Sequence, residues 1–428
     1  MTSSARRPAA SSHTHGIEEP PLAGTAPDTQ GMTAERPFFL LHIRKTAGVS
    51  LRGLLANRFS ADRILYQAHS LSGPQQPGGA LFVTGHVGFD YAGTFPTHPT
   101  IFTVLREPMS RCISAYDFFQ SHSEPFFRTL ATELSADEYA ARRRFQERAR
   151  ALGPARFLAE EEALARYWLA NVQTRQLAGS PLSGLRDDDP RLLGAALNNL
   201  ARIDLTGILE RQADTLKLLG RMMGWGPLGP LPHLNRTPRS SQPELDPGSL
   251  RILRSWNELD LRLYEEACRL FEQRLAALPS GEDAAELATP IGADGFTPDQ
   301  PLHGVGWHER EHHEGRWLCW NSAPSATLNL RAATMPRQFQ CLLSHVFNEH
   351  TLNTLEIKLN ERPLVLRKRA AEGGILVESD IPEGAWADSL PRAILTFQCP
   401  VMGSPHDLDT TSPDVRQLGF AIARLQLD

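Results

Sequence analysis

Phe38-Phe39-Leu40-Leu41-His42-Ile43-Arg44-Lys45-Thr46-Ala47-Gly48-Val49-Ser50 decides how this chain is read. An apolar run of strand length ends in two cations and a hydroxyl, and residues 49–59 then place apolar side chains at helical spacing. A second stretch has the same form: Thr103-Val104-Leu105-Arg106-Glu107-Pro108-Met109-Ser110-Arg111-Cys112-Ile113-Ser114-Ala115-Tyr116. Pro108 falls just inside the expected helix start, where its missing N–H costs nothing. A strand feeding a helix in this way gathers positive charge, hydroxyls and backbone N–H groups at the helix start, where an anion binds best. Two such places suggest a ligand with two separated anionic groups.

Around these segments, residues 36–277 alternate strands and helices. Short strands are expected at 63–66, 80–84 and 100–105, and helices at 110–120, 142–152, 155–177, 213–223 and 247–277. Strands that feed helices imply a parallel sheet covered by helices. Residues 278–301 are rich in Gly, Pro, Ala, Asp and Glu and read as a linker. From 302 to 428 short alternating strands separated by turn signals indicate an all-β, sandwich-like unit. Residues 1–35, rich in Ser, Thr, Pro and Ala, read as a disordered tail without the apolar core of a signal peptide.

The chain's 428 residues suit two domains, and its 41% hydrophobic and 22% charged content describe a soluble globular protein. A net charge of -5 argues against bulk nucleic-acid binding while permitting a local basic pocket. No apolar run approaches the roughly 18 residues of a membrane span. Five scattered cysteines without a CxxC pair fit reduced thiols and a cytoplasmic location.

In the first segment Lys45 supplies a mobile charge, with Thr46 and Ser50 as hydrogen-bond donors. The full GxxxxGK[ST] pattern is absent, and a Lys-Thr pair after a strand carries little specificity alone. In the second, the Arg106 guanidinium suits bidentate phosphate binding, with Ser114 on the first turns of the helix. The competing expectation is that Arg106 pairs with Glu107 or another carboxylate.

The HIRKTAGVS core resembles the 5′-phosphosulfate loop of the sulfotransferases that use 3′-phosphoadenosine 5′-phosphosulfate (PAPS), in the form found in the heparan sulfate 2-O-sulfotransferase branch and its bacterial relatives. Arg44 stands where that branch carries a proline. Residues 103–116 are similar to the family's 3′-phosphate loop, which implies that Arg106 and Ser114 hold that phosphate. Gly85-His86-Val87-Gly88-Phe89 resembles the GHV motif whose histidine is the catalytic base. Asn171-Val172-Gln173-Thr174-Arg175-Gln176-Leu177-Ala178-Gly179 resembles a helical NxQTRxLxG element. Residues 205–219, with Gly207, Glu210 and Arg211, resemble the strand-to-helix step before a nucleotide-closing loop. That loop corresponds to 232–239 and carries Asn235, Arg236 and Thr237.

The resemblance implies an α/β fold, a P-loop-like parallel sheet flanked by helices, ahead of the all-β unit. It implies PAPS as sulfuryl donor, held by Arg44, Lys45, Thr46, Ala47, Gly48, Ser50, Arg106, Ser114, Arg236 and Thr237. His86 and Lys45 are the expected catalytic residues, with no metal, and the acceptor is a glycan or other hydroxyl-bearing molecule. A neutral imidazole suits deprotonation of a hydroxyl near neutral pH, whereas His42 reads as structural or merely near the ligand. The alternatives are a P-loop-type kinase, which lacks its glycine pattern here, and an inactive glycan-binding protein.

Other motifs carry less. His308-Glu309-Arg310-Glu311-His312 matches HExxH, but the surrounding glycines and the following WLCW leave no room for a zincin helix, so a polar loop is expected. Arg142, Arg143, Arg144, Arg148 and Arg150 form a basic helical face, either solvated or steering an anionic acceptor. Asp187-Asp188-Asp189-Pro190 signals a helix start. Trp307, Trp317 and Trp320 are core aromatics or sugar-stacking platforms.

Overall fold

The computed structural model describes residues 36–66, 69–70, 73–121, 127, 135–231, 245–278, 287–332, 335–386, 392–410, 412 and 414–428. The expected tail at 1–35 and the loop at 232–239, with Arg236 and Thr237, lie outside the described residues.

Among the described residues, five strands form a wholly parallel sheet: β1 (Phe38–Leu41), β2 (Ile64–Leu65), β3 (Phe82–Gly85), β4 (Thr100–Leu105) and β5 (Leu205–Ile208), in the order β2-β3-β1-β4-β5. All four residues of β1 and all six of β4 are buried, which is why both read as continuous apolar runs rather than alternating ones. Phe38 sits among aromatic rings, with centroids of Trp225 at 5.6 Å, Phe82 at 6.1 Å, and Phe59 and Phe102 at 6.2 Å. After β1 the chain crosses toward β3, and after β4 toward β5. The carboxyl ends of β1 and β4 therefore flank the crevice where open α/β sheets take their ligands.

Helices flank the sheet: α1 (Gly48–Ala56), α2 (Pro108–Ser121), α3 (Ala136–Glu160), α4 (Glu162–Leu169), α5 (Val172–Ala178), α6 (Pro190–Leu200), α7 (Gln212–Met223), α8 (Pro247–Trp256) and α9 (Glu258–Ala276). Asp189 caps α6 by accepting from the Arg191 amide, as the DDDP signal predicts. Two helices expected from periodicity are broken. Gly153, at φ 71°, interrupts α3 at the expected boundary between 142–152 and 155–177, and the 155–177 stretch divides at Glu161 and at Asn171, whose φ is 43°. The 247–277 stretch breaks at Asn257, whose Nδ2 donates to the Leu253 carbonyl at 2.8 Å and whose Oδ1 accepts from the Asn171 amide at 3.0 Å. The apolar spacing runs through these breaks, so periodicity alone could not show them.

Residues 287–428 build two further sheets around a separate hydrophobic core. One contains β6 (Ser325–Ala332) and β7 (Arg392–Gln398) in antiparallel register, with Thr289–Ile291 added parallel to β6. The other pairs Gln338–Val346 with Gly374–Asp380 and with Phe420–Leu427, antiparallel throughout. Packed structure thus reaches into the stretch read as a linker, where Phe296 is fully buried.

The expected basic face on α3 is largely used internally. Arg144 and Arg148 both bind the Glu161 carboxylate, at 2.9 and 2.6 Å. Arg142 is buried 5.4 Å from the Trp168 ring, and Arg143 lies 4.3 Å from the Phe127 ring. Trp307 is a core residue, donating from Nε1 to the Thr327 carbonyl at 2.7 Å and meeting Phe397 edge-on. Trp317 and Trp320 are half-buried, in contact with His312 and His345.

Candidate active site

The first loop is built around α1. Lys45 (φ 70°) and Ala47 (φ 63°) both adopt the left-handed conformation, which costs a non-glycine residue about 1–3 kcal/mol and concentrates at functional sites. Ala47 is the N-cap, no side chain caps the helix, and no acid lies in its first turn. The leading N–H groups of α1 thus point into the loop without an internal acceptor. Thr46 is buried, and its Oγ1 donates inward to the Ile43 carbonyl at 2.9 Å, a bond that braces the turn. Arg44 is directed to the Trp168 ring at 5.4 Å. Ser50, on the first turn of α1, is half-buried.

Lys45 Nζ lies 3.8 Å from the centroid of the Phe118 ring. Burial, and then the nearby Arg106 guanidinium, lower its pKa to about 8; Asp117 pulls the other way, and Arg111 adds a smaller lowering. Arg106 Nη1 donates to the Lys45 carbonyl at 3.2 Å, so the guanidinium turns toward the first loop, not toward Glu107. The two segments read separately in the sequence therefore meet, and their cations crowd one place. Carboxylates offset part of this crowding, Asp117 beside Lys45 and Glu210 and Glu107 beside Arg106, and a bound anion would offset more.

The second segment differs from expectation at its helix start. Glu107 folds back on α2, accepting from the Met109 amide at 2.9 Å and the Ser110 amide at 2.7 Å. This end already holds a carboxylate, so an anion there is left to the side chains of Arg106 and Ser114, the latter half-buried on the second turn of α2.

His86 follows β3. Its Nδ1 stands 2.8 Å from the His42 carbonyl, and since a carbonyl only accepts, Nδ1 carries the proton and Nε2 is the basic nitrogen. The two imidazole rings are in contact, with centroids 4.3 Å apart. His42 also explains Gly48: a Cβ there would fall 1.8 Å from the His42 ring.

The NxQTRxLxG stretch supplies scaffolding that sequence reading placed but gave no role. Gln173 clamps the Arg106 backbone with both amide atoms, Oε1 accepting from the amide at 3.0 Å and Nε2 donating to the carbonyl at 2.9 Å. Gln176 Nε2 donates to the carbonyls of His42 at 2.9 Å and Val87 at 3.0 Å, tying the ends of β1 and β3 together. The start of α5, which carries both glutamines, is held by the buried Asp260 carboxylate, which accepts from the amides of Gln173 (3.2 Å) and Thr174 (2.7 Å).

Among the described residues, no group of three or more His, Cys, Asp and Glu is placed to hold a metal, and no helix is long and apolar enough to cross a membrane. A cleft lined by Leu54, Asn57, Arg58, Gly304 and Trp307 opens at the far end of α1, about 13 Å from the Lys45 loop by helix rise, and is separate from this site.

The chain is 26% identical over 280 residues to galactose-3-O-sulfotransferase 3 of Bos taurus, a match covering 60% of this chain and 61% of that protein. It is 35% identical over 124 residues to heparan-sulfate 6-O-sulfotransferase 2 of Danio rerio, covering 27% of this chain and 26% of that protein. The chain is similar to sulfotransferases. It spans about three fifths of the first relative's length and about a quarter of the second's. No family model matches it.

Proposed function

We propose that this protein transfers a sulfuryl group from PAPS to a hydroxyl on a carbohydrate. The observation that carries the reading is the convergence, at the carboxyl end of the sheet, of the uncapped α1 start, the Lys45–Arg106 cation pair and a histidine whose basic nitrogen is Nε2. The donor set fits a ligand with two anionic ends: backbone amides and Lys45 for a 5′-phosphosulfate, Arg106 and Ser114 for a 3′-phosphate. When bound, PAPS supplies an activated sulfuryl group. His86 takes the acceptor hydroxyl's proton at Nε2, with Nδ1 anchored on the His42 carbonyl. Lys45 stabilises the charge that develops on the departing phosphate oxygen. Five free thiols, four of them buried, support a reducing, cytoplasmic setting.

The test is calorimetric titration with adenosine 3′,5′-bisphosphate, in parallel with ATP and Mg²⁺. The expected result is binding of the bisphosphate that is lost in Arg106→Ala. Binding of ATP alone would overturn the reading in favour of a kinase.

A pH dependence follows from Lys45. Its charge is present below about pH 8 and is lost above it, whereas a bound anion raises its pKa. Bisphosphate binding must therefore take up a proton above about pH 8. The Kd is expected to be nearly flat from pH 6.5 to 7.5 and to rise by up to about tenfold per pH unit above about 8. A Kd that stays level to pH 9.5 removes Lys45 from the donor contacts.

A further inference from the structure

His308 and Arg310 of the motif read as a polar loop are buried, Arg310 against the far end of α1, whereas Glu311 and His312 enter a short strand and His312 is exposed. Arg310 is 5% exposed, and its guanidinium donates to five carbonyls. Nη2 reaches Ala56 at 2.6 Å and Phe59 at 2.5 Å, at the close of α1, and Nη1 reaches Pro298 (2.8 Å), Asp299 (2.9 Å) and Gln300 (3.2 Å). The last carbonyls of a helix lack internal donors and carry its negative pole, so a cation there answers both needs. Asn57 completes the join: Nδ2 donates to the His308 carbonyl at 2.7 Å and Oδ1 accepts from the Arg310 amide at 3.2 Å. Glu309 pairs with Arg52 at 2.9 Å, and the absent Cβ of Gly53 would stand 3.1 Å from Glu309 Cβ, so the fit along the helix is close. Two amides also cross the seam: Leu302 donates to Asn57 and Ala61 donates to Asp299, both at 2.7 Å.

We propose that Arg310 is a positioning residue for the donor site, by which the β-rich segment sets the placement of α1 and hence of the Lys45 loop at its other end. The inference rests on the reading of that loop as the donor site. α1 has only nine residues, is fastened at its C-terminal end by side chains from beyond residue 300, and leaves its N-terminal amides for the ligand. Movement at one end of so short and rigid an element is transmitted to the other.

The 428-residue chain and its Arg310→Gln variant, both checked for folding by circular dichroism, would be titrated with adenosine 3′,5′-bisphosphate well below their melting temperatures. The expected result is binding at least tenfold weaker in the variant at unchanged stoichiometry. In the wild-type chain, saturating bisphosphate is expected to slow hydrogen exchange at the Leu302 and Ala61 amides, a readout that stands even if the variant fails to fold. A folded variant with the wild-type Kd, or seam amides whose exchange ignores the ligand, would overturn the inference: Arg310 would then only stabilise the fold. Absence of binding by the wild-type chain would overturn the donor reading and this inference with it.

Discussion

Replacing His86 with alanine is expected to lower sulfuryl turnover by about 10²–10⁴-fold, the usual contribution of a positioned general base, while leaving affinity for adenosine 3′,5′-bisphosphate within about twofold. The separation follows from the architecture. Lys45 and Arg106 lie on the loops after β1 and β4, whereas His86 follows β3 and its Nδ1 donates to the His42 carbonyl. Removing the imidazole leaves the Gln176 bonds to His42 and Val87 to hold the strand ends. Transfer of the labelled sulfuryl group from PAPS to hydroxyls of a pool of desulfated glycosaminoglycans, alongside calorimetry, provides the readout. A variant that keeps more than a tenth of wild-type turnover would remove His86 from the role of base. Joint loss of turnover and bisphosphate binding would show that the ring shapes the donor site instead.

The second large effect concerns stability. Asp260→Ala is expected to lower the free energy of unfolding by about 3 kcal/mol, because two buried amides of α5 lose a charged acceptor that water cannot replace. Asp260 belongs to a reciprocal knot. Its own amide donates to Asn171 Oδ1 at 3.0 Å, and the Asn171 amide donates to Asn257 Oδ1. Loosening the knot frees the turn that carries Gln173 and Gln176, so bisphosphate affinity should fall along with stability. Urea unfolding followed by far-UV circular dichroism measures the first part. A loss below about 1 kcal/mol would mean that the α5 amides find other acceptors.

What the sequence made legible was whatever depends on near neighbours. β1 and β4 are buried on both faces, so their apolar runs stood out, and the cations at their carboxyl ends marked the crevice. The inward turn of Thr46 and the self-capping of α2 by Glu107 are also local, yet the same residue types serve equally as ligand donors or as loop braces. Only geometry separates those uses. The breaks at Asn171 and Asn257 were hidden because each asparagine stabilises its break through a partner more than 80 residues away. Arg310 was misplaced for a similar reason: its acceptors at Ala56 and Phe59 precede it by some 250 residues, and a lone arginine in a polar string gives no sign of burial.

One carbonyl has a wider consequence. The His42 oxygen accepts from His86 Nδ1 and from Gln176 Nε2, and Lys45 follows three residues later on the same strand exit. The proposed base and the proposed leaving-group cation are thus both referenced to a single peptide unit. A displacement of that carbonyl therefore moves the His86 ring and the start of the Lys45 loop together.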